Sequence, residues 1–408
     1  MIAVQKSSKS FMLLEKLHLY FYCVTFAFAF IGLFNMPKGH EVMEVLVIVS
    51  LSLGILNKLI NKQVFLPVPK LWVTILLIAG GVLLANDYLH GDRDRLGRAF
   101  LYMAFFVSFR PKIPCIKQLV FYSAVIGGVG LGVLSLYQFL NGLHRVEGFT
   151  NAIPFSQAVL VILIFNLYFF IRQKDNSRYL SCLSIGFLFI ALYLSQTRGV
   201  WLALLLLVFI YLLIKIYKKP LKYLLIALGV IVAVFSTYEI SSIVKEKVNT
   251  GISDLQRAQK GEFGSSWGMR LVAWDSAVKA IKDKPLLGIG RDNFFSYRKE
   301  QVARGEVDPI ILRFVLPHAH NQYLQSQLIR GVPGTAVLLL LLLYPWFVTG
   351  CFNQRALLFK SISFVYAIFG LSDVPFEHLN SLYLYVLSMT LLSYYLLEEK
   401  ENKKEESR

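Results

Sequence analysis

The sequence predicts an all-α integral membrane protein of about twelve transmembrane helices, with one large, partly helical loop between the ninth and tenth spans. Three observations carry this. The chain is 56% hydrophobic with a mean hydropathy of +0.57, too apolar for a soluble chain of this length. Apolar runs of roughly 18 residues recur along it, the length a bilayer crossing demands. Basic residues alternate between the two sides of those runs. Lipid offers no partner to a backbone N–H or C=O, so each run must be helical.

The runs fall at 17–35, 43–60, 70–86, 98–110, 118–140, 155–172, 178–195, 199–216, 221–243, 332–349, 356–372 and 380–397. The first reads as a retained span, since no small-residue cleavage site follows it. The fourth, "RAFLYMAFFVSFR", is the shortest and crosses only by borrowing flanking residues. Charge supports keeping it. With the N-terminus inside, 22 of the 42 Lys and Arg lie in inside segments, 6 in five short outside loops and 14 in the long loop. Short loops rich in positive charge stay inside, and dropping the fourth span would scramble the alternation. The parts are thus 1–243 with spans one to nine, an outside loop module at 244–331, spans ten to twelve at 332–397, and a cytoplasmic tail at 398–408.

The net charge of +17 is therefore mostly topology. It is spread over many membrane-flanking pieces without a nucleic-acid motif, so no nucleic-acid partner is expected. Cys23 and Cys182 fall in spans, and Cys115 and Cys351 in inside loops, which argues against a disulfide framework.

In the long loop, Trp267, Leu271, Trp274, Val278 and Ile281 recur at steps of four and three, one apolar stripe of an amphipathic helix. Ser265 or Ser266 would cap its start and Pro285 follows its end. Trp267 and Trp274 read as packing anchors. "LLGIGRDNF" then makes a glycine-punctuated turn, with Asp292 as the expected cap of a second short helix. "GIG" is no phosphate loop, for no GKS/T follows it. Asp92 and Asp94 in "HGDRDRLGR" read as neutralised by Arg93, Arg95 and Arg98.

The chemistry gathers at the outer ends of the spans. Six of the seven histidines fall outside, and Arg145, Arg198 and Arg270 stand at helix mouths or on the amphipathic helix. Arginine on the face where positive charge is sparse points to an anionic partner. Its planar fork suits phosphate. A histidine titrates near neutrality and can accept a hydroxyl proton. Arginines holding a leaving diphosphate and a histidine activating a hydroxyl make a transfer reaction. No HExxH marks a metal site and no GxSxG elbow a serine hydrolase. Arginines in place of an ion fit better, and neither a metal nor another cofactor is expected.

Each residue also has a plainer reading. "LPHAHNQYLQ" places His318 and His320 where interfacial polar residues could simply start a helix capped by Asn321. On a helix, side chains at i and i+2 diverge, so one of the two would face the site, and His320 is preferred. Arg198 could snorkel to a headgroup, Arg145 and Arg270 could be surface charges, Arg291 a turn residue and Arg313 a loop charge. Asp373 and Glu377 in "SDVPFEHLN" could hold an arginine or a histidine, or reflect helix-end polarity.

"SQTRGVWLA" at the start of a span, "RLVAWDSAVKAIKDKPLLGIGRDNF" in the long loop and "PHAHNQYLQ" before the next span, in that order, resemble the O-antigen ligase family. Its wider superfamily includes O-antigen polymerases and protein-linking oligosaccharyltransferases. The motifs run over about 190–345, and the twelve-span topology extends the likeness. The resemblance implies a metal-independent glycosyltransferase facing the periplasm of a Gram-negative inner membrane. The donor would be undecaprenyl-diphosphate-linked O-antigen and the acceptor a sugar hydroxyl of lipid A-core. It implies Arg198 and Arg270 as diphosphate ligands and His320 as general base, with inversion at the anomeric carbon. Arg145, Arg291, Arg313, His318, Asn321 and Asp373 would be supporting residues. An O-antigen polymerase with the same donor, and a flippase of the lipid-linked sugar, are the alternatives. The near absence of charge within the spans disfavours the flippase.

Overall fold

The computed structural model describes residues 2–62, 65–113, 116–314, 316–349 and 354–406. Cys115 and Cys351 lie outside the described residues. Sixteen helices and no strand occur among the described residues. The first nine are α1 Ile2–Ile31, α2 Gly39–Ile60, α3 Lys70–His90, α4 Leu96–Ser108, α5 Ile116–Leu140, α6 Ala152–Arg172, α7 Arg178–Ser195, α8 Arg198–Ile216 and α9 Pro220–Ile240. The segment between α9 and the tenth expected span adds α10 Ser242–Gln259, α11 Ser266–Asp283, α12 Phe294–Ala303 and α13 Ile310–Arg313. The chain closes with α14 Gln322–Val348, α15 Gln354–Phe369 and α16 Leu379–Glu406.

Among the described residues nine helices are long and apolar enough to cross a membrane: α1 to α3, α5 to α9, and α14. Helices α4, α15 and α16 occupy the other expected positions. At 13 residues, α4 is about 20 Å long, short of a hydrocarbon core of about 30 Å.

Helix ends follow local chemistry. Pro220 opens α9 at a position where its missing N–H costs nothing. Asn151 caps α6, accepting from the Ile153 N–H, and Ser265 caps α11, accepting from the Gly268 N–H. The second loop helix is flanked by Asn293, without a side-chain cap. Asp292 does not cap it: it lies one residue before the N-cap position, and its N–H donates to the Asp92 carboxylate at 3.0 Å.

Two features were not expected. The stretch after α9 is a further helix, α10, whose cap Ser241 accepts from the Val244 N–H. The span read as starting at 332 belongs to a helix that begins at Gln322 and kinks at Gly331 (φ 59°, ψ −154°), with Pro333 just beyond. The helix packs on α3, α11 and α15.

Helices α6 and α16 form the centre. Leu382 to Met389 of α16 are almost wholly buried, and α16 packs on α1, α2, α4, α6 and α15. Some buried polar groups there are paired: Trp72 donates to Thr390 at 3.0 Å, and Tyr22 and Tyr394 share a hydroxyl bond, whereas the Tyr383 hydroxyl and Ser381 Oγ have no hydrogen-bond partner among the described residues. In contrast, α9 buries no residue and touches only α8 and α10 among its main neighbours. It forms the rim from which the segment of α10 to α13 starts.

Candidate active site

One end of the bundle carries the α5–α6 loop, the α7–α8 turn, α10, α11, the segment before α14 and the α15–α16 loop. Gln196 turns the chain in the left-handed region (φ 53°), so Arg198 opens α8. Its Nη1 donates to the Lys247 carbonyl at 3.2 Å, and its Nη2 lies 3.6 Å from Asp254 of α10. Gly251 permits this approach: a Cβ there would sit 2.6 Å from Arg198 Nη1. Beside it, Arg145 Nε donates to the Ser195 carbonyl at 3.2 Å.

Arg270 reaches the same region from α11. Its Nη1 donates to Ser266 Oγ at 2.8 Å, while its Nε is buried without a hydrogen-bond partner among the described residues, as is Trp274 Nε1. Trp267 and Trp274 meet edge to face at 6.3 Å, the packing role expected of them. Burial lowers the Arg270 pKa, Asp373 pulls it back up, and Arg198 and Arg145 lower it further. Burial and then Arg198 lower that of Arg145. Three guanidiniums thus repel one another in a partly desolvated site, and an anion among them would relieve all three.

His318 and His320 do not diverge as on a helix. His320 adopts a left-handed backbone (φ 51°), which costs a non-glycine residue strain of the kind concentrated at functional sites. That turn brings the rings to 4.2 Å, and the His320 N–H donates to His318 Nδ1 at 3.2 Å. His320 Nδ1 is buried without a partner among the described residues. Burial, then the charge of Arg270, lowers His320 to about 4. Burial and His320 lower His318 to about 3. Both are neutral near pH 7, able to accept a proton. Asn321 caps α14, accepting from the Tyr323 and Leu324 N–H groups at 3.0 Å each.

Asp373, 2% exposed, backs the histidines. It accepts from Gln157 at 2.9 Å and lies 3.8 Å from His378 Nε2. Burial pushes its carboxyl up, but the hydrogen bond and charge of His378 outweigh that and lower it. His318, Asp373 and His378 place one potential ligand atom each within 4.8 Å of one another. Two imidazoles and a carboxylate could take a divalent cation or relay a proton. Sequence spacing gave no sign of this trio.

Asp92 and Asp94 are engaged otherwise than by the neighbouring arginines of the sequence. Asp94 pairs with Arg291 at 2.8 Å and Arg330 at 2.9 Å, not with its basic neighbours, and Asp92 accepts from the Arg291 and Asp292 N–H groups. Glu377 binds Arg330 at 2.5 Å and Arg291 at 3.0 Å. Burial raises the Glu377 carboxyl, yet Arg330 and Arg291 outweigh it and hold it at about 2. Arg291 is thus committed to carboxylates. Arg313 is exposed at the end of α13.

This network clasps the "LLGIGRD" segment. The Ile289 and Gly290 N–H groups donate to the Leu328 and Ile329 carbonyls, and the Val332 N–H to the Leu286 carbonyl. Asn86 Nδ2 donates to the Leu287 carbonyl at 2.9 Å. Gly288 and Gly290 have positive φ, and a Cβ on Gly288 would meet Ile329 backbone at 2.5 Å, so glycine is required there. The clasp fixes the chain between α11, which carries Arg270, and α14, which follows His320.

The fold and this site define a multi-pass helical membrane protein with arginines and histidines gathered at one membrane face. Residues 183–339 match the family described as Wzy_C, O-Antigen ligase, so the resemblance read from the sequence motifs is borne out. The match includes Arg198, Arg270 and His320, and leaves out Arg145 and Asp373. An uncharacterized protein of Haemophilus influenzae is 28% identical over 264 residues, which is 62% of this chain and 65% of the relative. The chain thus spans just under two thirds of that relative's length.

Proposed function

We propose that the protein is an O-antigen ligase. It transfers polysaccharide from undecaprenyl diphosphate to a sugar hydroxyl of lipid A-core on the periplasmic side of the inner membrane, in lipopolysaccharide biosynthesis. The observation that carries this is the grouping of Arg145, Arg198 and Arg270, whose charges oppose one another, with Arg270 acting on His320 and its Nε buried without a partner among the described residues.

Arg198 and Arg270 bind the donor diphosphate, with Arg145 adding charge. His320 takes the proton of the acceptor hydroxyl as its oxygen attacks the anomeric carbon. The bond from that carbon to the diphosphate oxygen breaks, and the diphosphate leaves with the electron pair, stabilised by the guanidiniums. Attack opposite the leaving group inverts the configuration. Diphosphate is a good leaving group, so no strong general acid is needed.

The low basicity of His320 suits this order of events. Arg270 lowers it in the empty site. A bound diphosphate offsets that charge and raises the imidazole towards a useful value. The carboxylate of Asp373 favours the imidazolium, whereas His378 opposes it. No step is routed through a metal.

The test is the profile of lipopolysaccharide and lipid-linked sugar in cells lacking the protein, complemented by wild type or His320→Ala. A bare core with long polymer accumulating on undecaprenyl diphosphate, not rescued by His320→Ala at normal protein level, is the expected result. Single repeat units on the core without long chains would make the protein a polymerase and remove the acceptor assignment.

A further inference from the structure

The turn that presents His320 is tied to two other helices by buried side chains. The Leu316 carbonyl accepts from Arg298 Nη1 of α12 at 2.9 Å. The Ala319 N–H donates to Gln325 Oε1, one turn into α14, at 2.8 Å. Arg298 and Gln325 are each 3% exposed, and Ala319 is wholly buried. We infer that Arg298 and Gln325 are positioning residues that hold the 316–320 turn, and with it the His320 imidazole, in place for transfer, an inference that rests on the proposed role of His320 as base.

Strain makes the first argument. A non-glycine residue in the left-handed region persists only where its surroundings over-determine it, and His320 has φ 51°. The chain after it is fixed by α14: Asn321 caps the helix, and the Gln322 N–H donates to the Gly370 carbonyl at 2.7 Å. Gln322 Oε1 also accepts from the Phe376 N–H at 2.9 Å. Arg298 and Gln325 fix the chain before it. Without either, the cap and α14 remain, while the turn regains freedom on its N-terminal side. The expected consequence is a displaced imidazole in a folded protein.

The cost of Arg298 makes the second. Its guanidinium lies over the Phe294 ring at 3.9 Å. Its Nε and Nη2 have no hydrogen-bond partner among the described residues. Burial lowers its pKa to about 10, with no carboxylate among the described residues to hold it up. A buried charge without a counter-ion opposes folding, and an apolar side chain against Phe294 would serve packing better. What the guanidinium supplies is a planar donor fixed on the Leu316 carbonyl. Its charge also reaches His320, behind the influences of burial, Arg270 and Asp373.

The test uses the full chain purified in detergent, with lipid-linked polysaccharide as donor and lipid A-core as acceptor. Arg298→Met and Gln325→Leu should each lower kcat by about 10-fold or more, the scale of a misplaced reacting group, with the donor KM unchanged. Arg298→Lys keeps a donor and Gln325→Glu keeps the acceptor oxygen, so both should recover most of the rate. Arg298→Met should melt within about 3 °C of wild type, because the lost bond is offset by removal of an unpaired buried charge. Hydrogen exchange of the 316–321 peptide, read by mass spectrometry, should be about 5-fold faster in Gln325→Leu. That readout needs no reaction. If Gln325→Leu misfolds, Arg298→Met carries the same exchange and rate measurements. Unchanged exchange, a raised KM with kcat intact, or a larger fall in the Arg298→Met melting temperature would each overturn the inference. A His320→Ala variant that transfers at the wild-type rate would instead strike the base reading, and the exchange measurement would still decide whether the two residues hold the turn.

Discussion

Glu377→Gln should be among the most costly single changes outside the proposed chemistry. The Glu377 side chain is 5% exposed and that of Arg330 is 4% exposed, so solvent screens their pairing little. Lowering the carboxyl from 4.5 to about 2 corresponds to about 3 kcal/mol. Breaking a buried pair by neutralising one partner costs about 3–5 kcal/mol, because the other charge stays buried. The two figures agree in size. Glutamine keeps the shape and leaves Arg330 and Arg291 to share Asp94.

The sign in pH follows from a lowered carboxyl. The stabilisation is complete above 4.5 and is lost as pH falls through about 2. Unfolding in detergent, followed by tryptophan fluorescence, should show Glu377→Gln melting about 5 °C or more below wild type at pH 7.5, with the gap narrowing in acid. Combining it with Arg330→Gln should cost clearly less than the two single changes together, since the second removes the charge the first orphaned. A loss below about 0.5 kcal/mol, or strict additivity in the double variant, would refute the clasp as a buried, coupled unit.

If His320 is the base, kcat/KM should fall in acid with a limb near about 4, and kcat with a limb at higher pH because bound diphosphate raises the imidazole. Residual activity of Arg270→Gln should move the kcat/KM limb upward, and a limb that stays or moves down would be inconsistent with Arg270 acting on His320. Gly288→Ala places a side chain at φ 73° against the Ile329 backbone and should cost at least about 2 kcal/mol in the same melting assay; a neutral result would mean the turn is not held. Asp254→Asn releases Arg198, whose side chain is 32% exposed. It should tighten inorganic diphosphate by about 5-fold in calorimetry, the scale of a partly screened pair, and weaker binding would show Asp254 aligning the arginine instead. Dialysis against EDTA should leave transfer intact, and activity restored only by a divalent cation would assign His318, Asp373 and His378 to a metal.

The membrane helices were legible because their cause is local. Lipid forces helix on any long apolar run, and Ser265 and Asn321 announced their helix starts by the side-chain acceptors they carry. What was not legible depends on contacts between distant residues. Asp94 stands one and four residues from Arg95 and Arg98, yet pairs with Arg330 and Arg291, because Gly331 kinks α14 across the α3–α4 turn. Nothing in the spacing of His318, Asp373 and His378 foretold a trio, since the α15–α16 loop returns to the histidines only in three dimensions. His318 and His320 were expected to diverge, and a single left-handed residue brings them together. Arg198, Arg270 and His320 could be picked out from their motifs, while Asp254 and Gln157, which hold Arg198 and Asp373, carried no local signal.

The placement of charge explains why the site needs so much support. Arg270 is held by Ser266 of its own helix at 2.8 Å, Asp254 pairs with Arg198, Asp373 offsets the charge of Arg270, and the clasp fixes the chain between α11 and α14. Asp254 lies on α10, Asp373 on the α15–α16 loop, and the clasp joins α3, the glycine segment and α14. Under the proposed function, a ligand that brings negative charge to the arginines would offset their mutual repulsion and, by countering Arg270, would raise the basicity of His320 for taking up a hydroxyl proton.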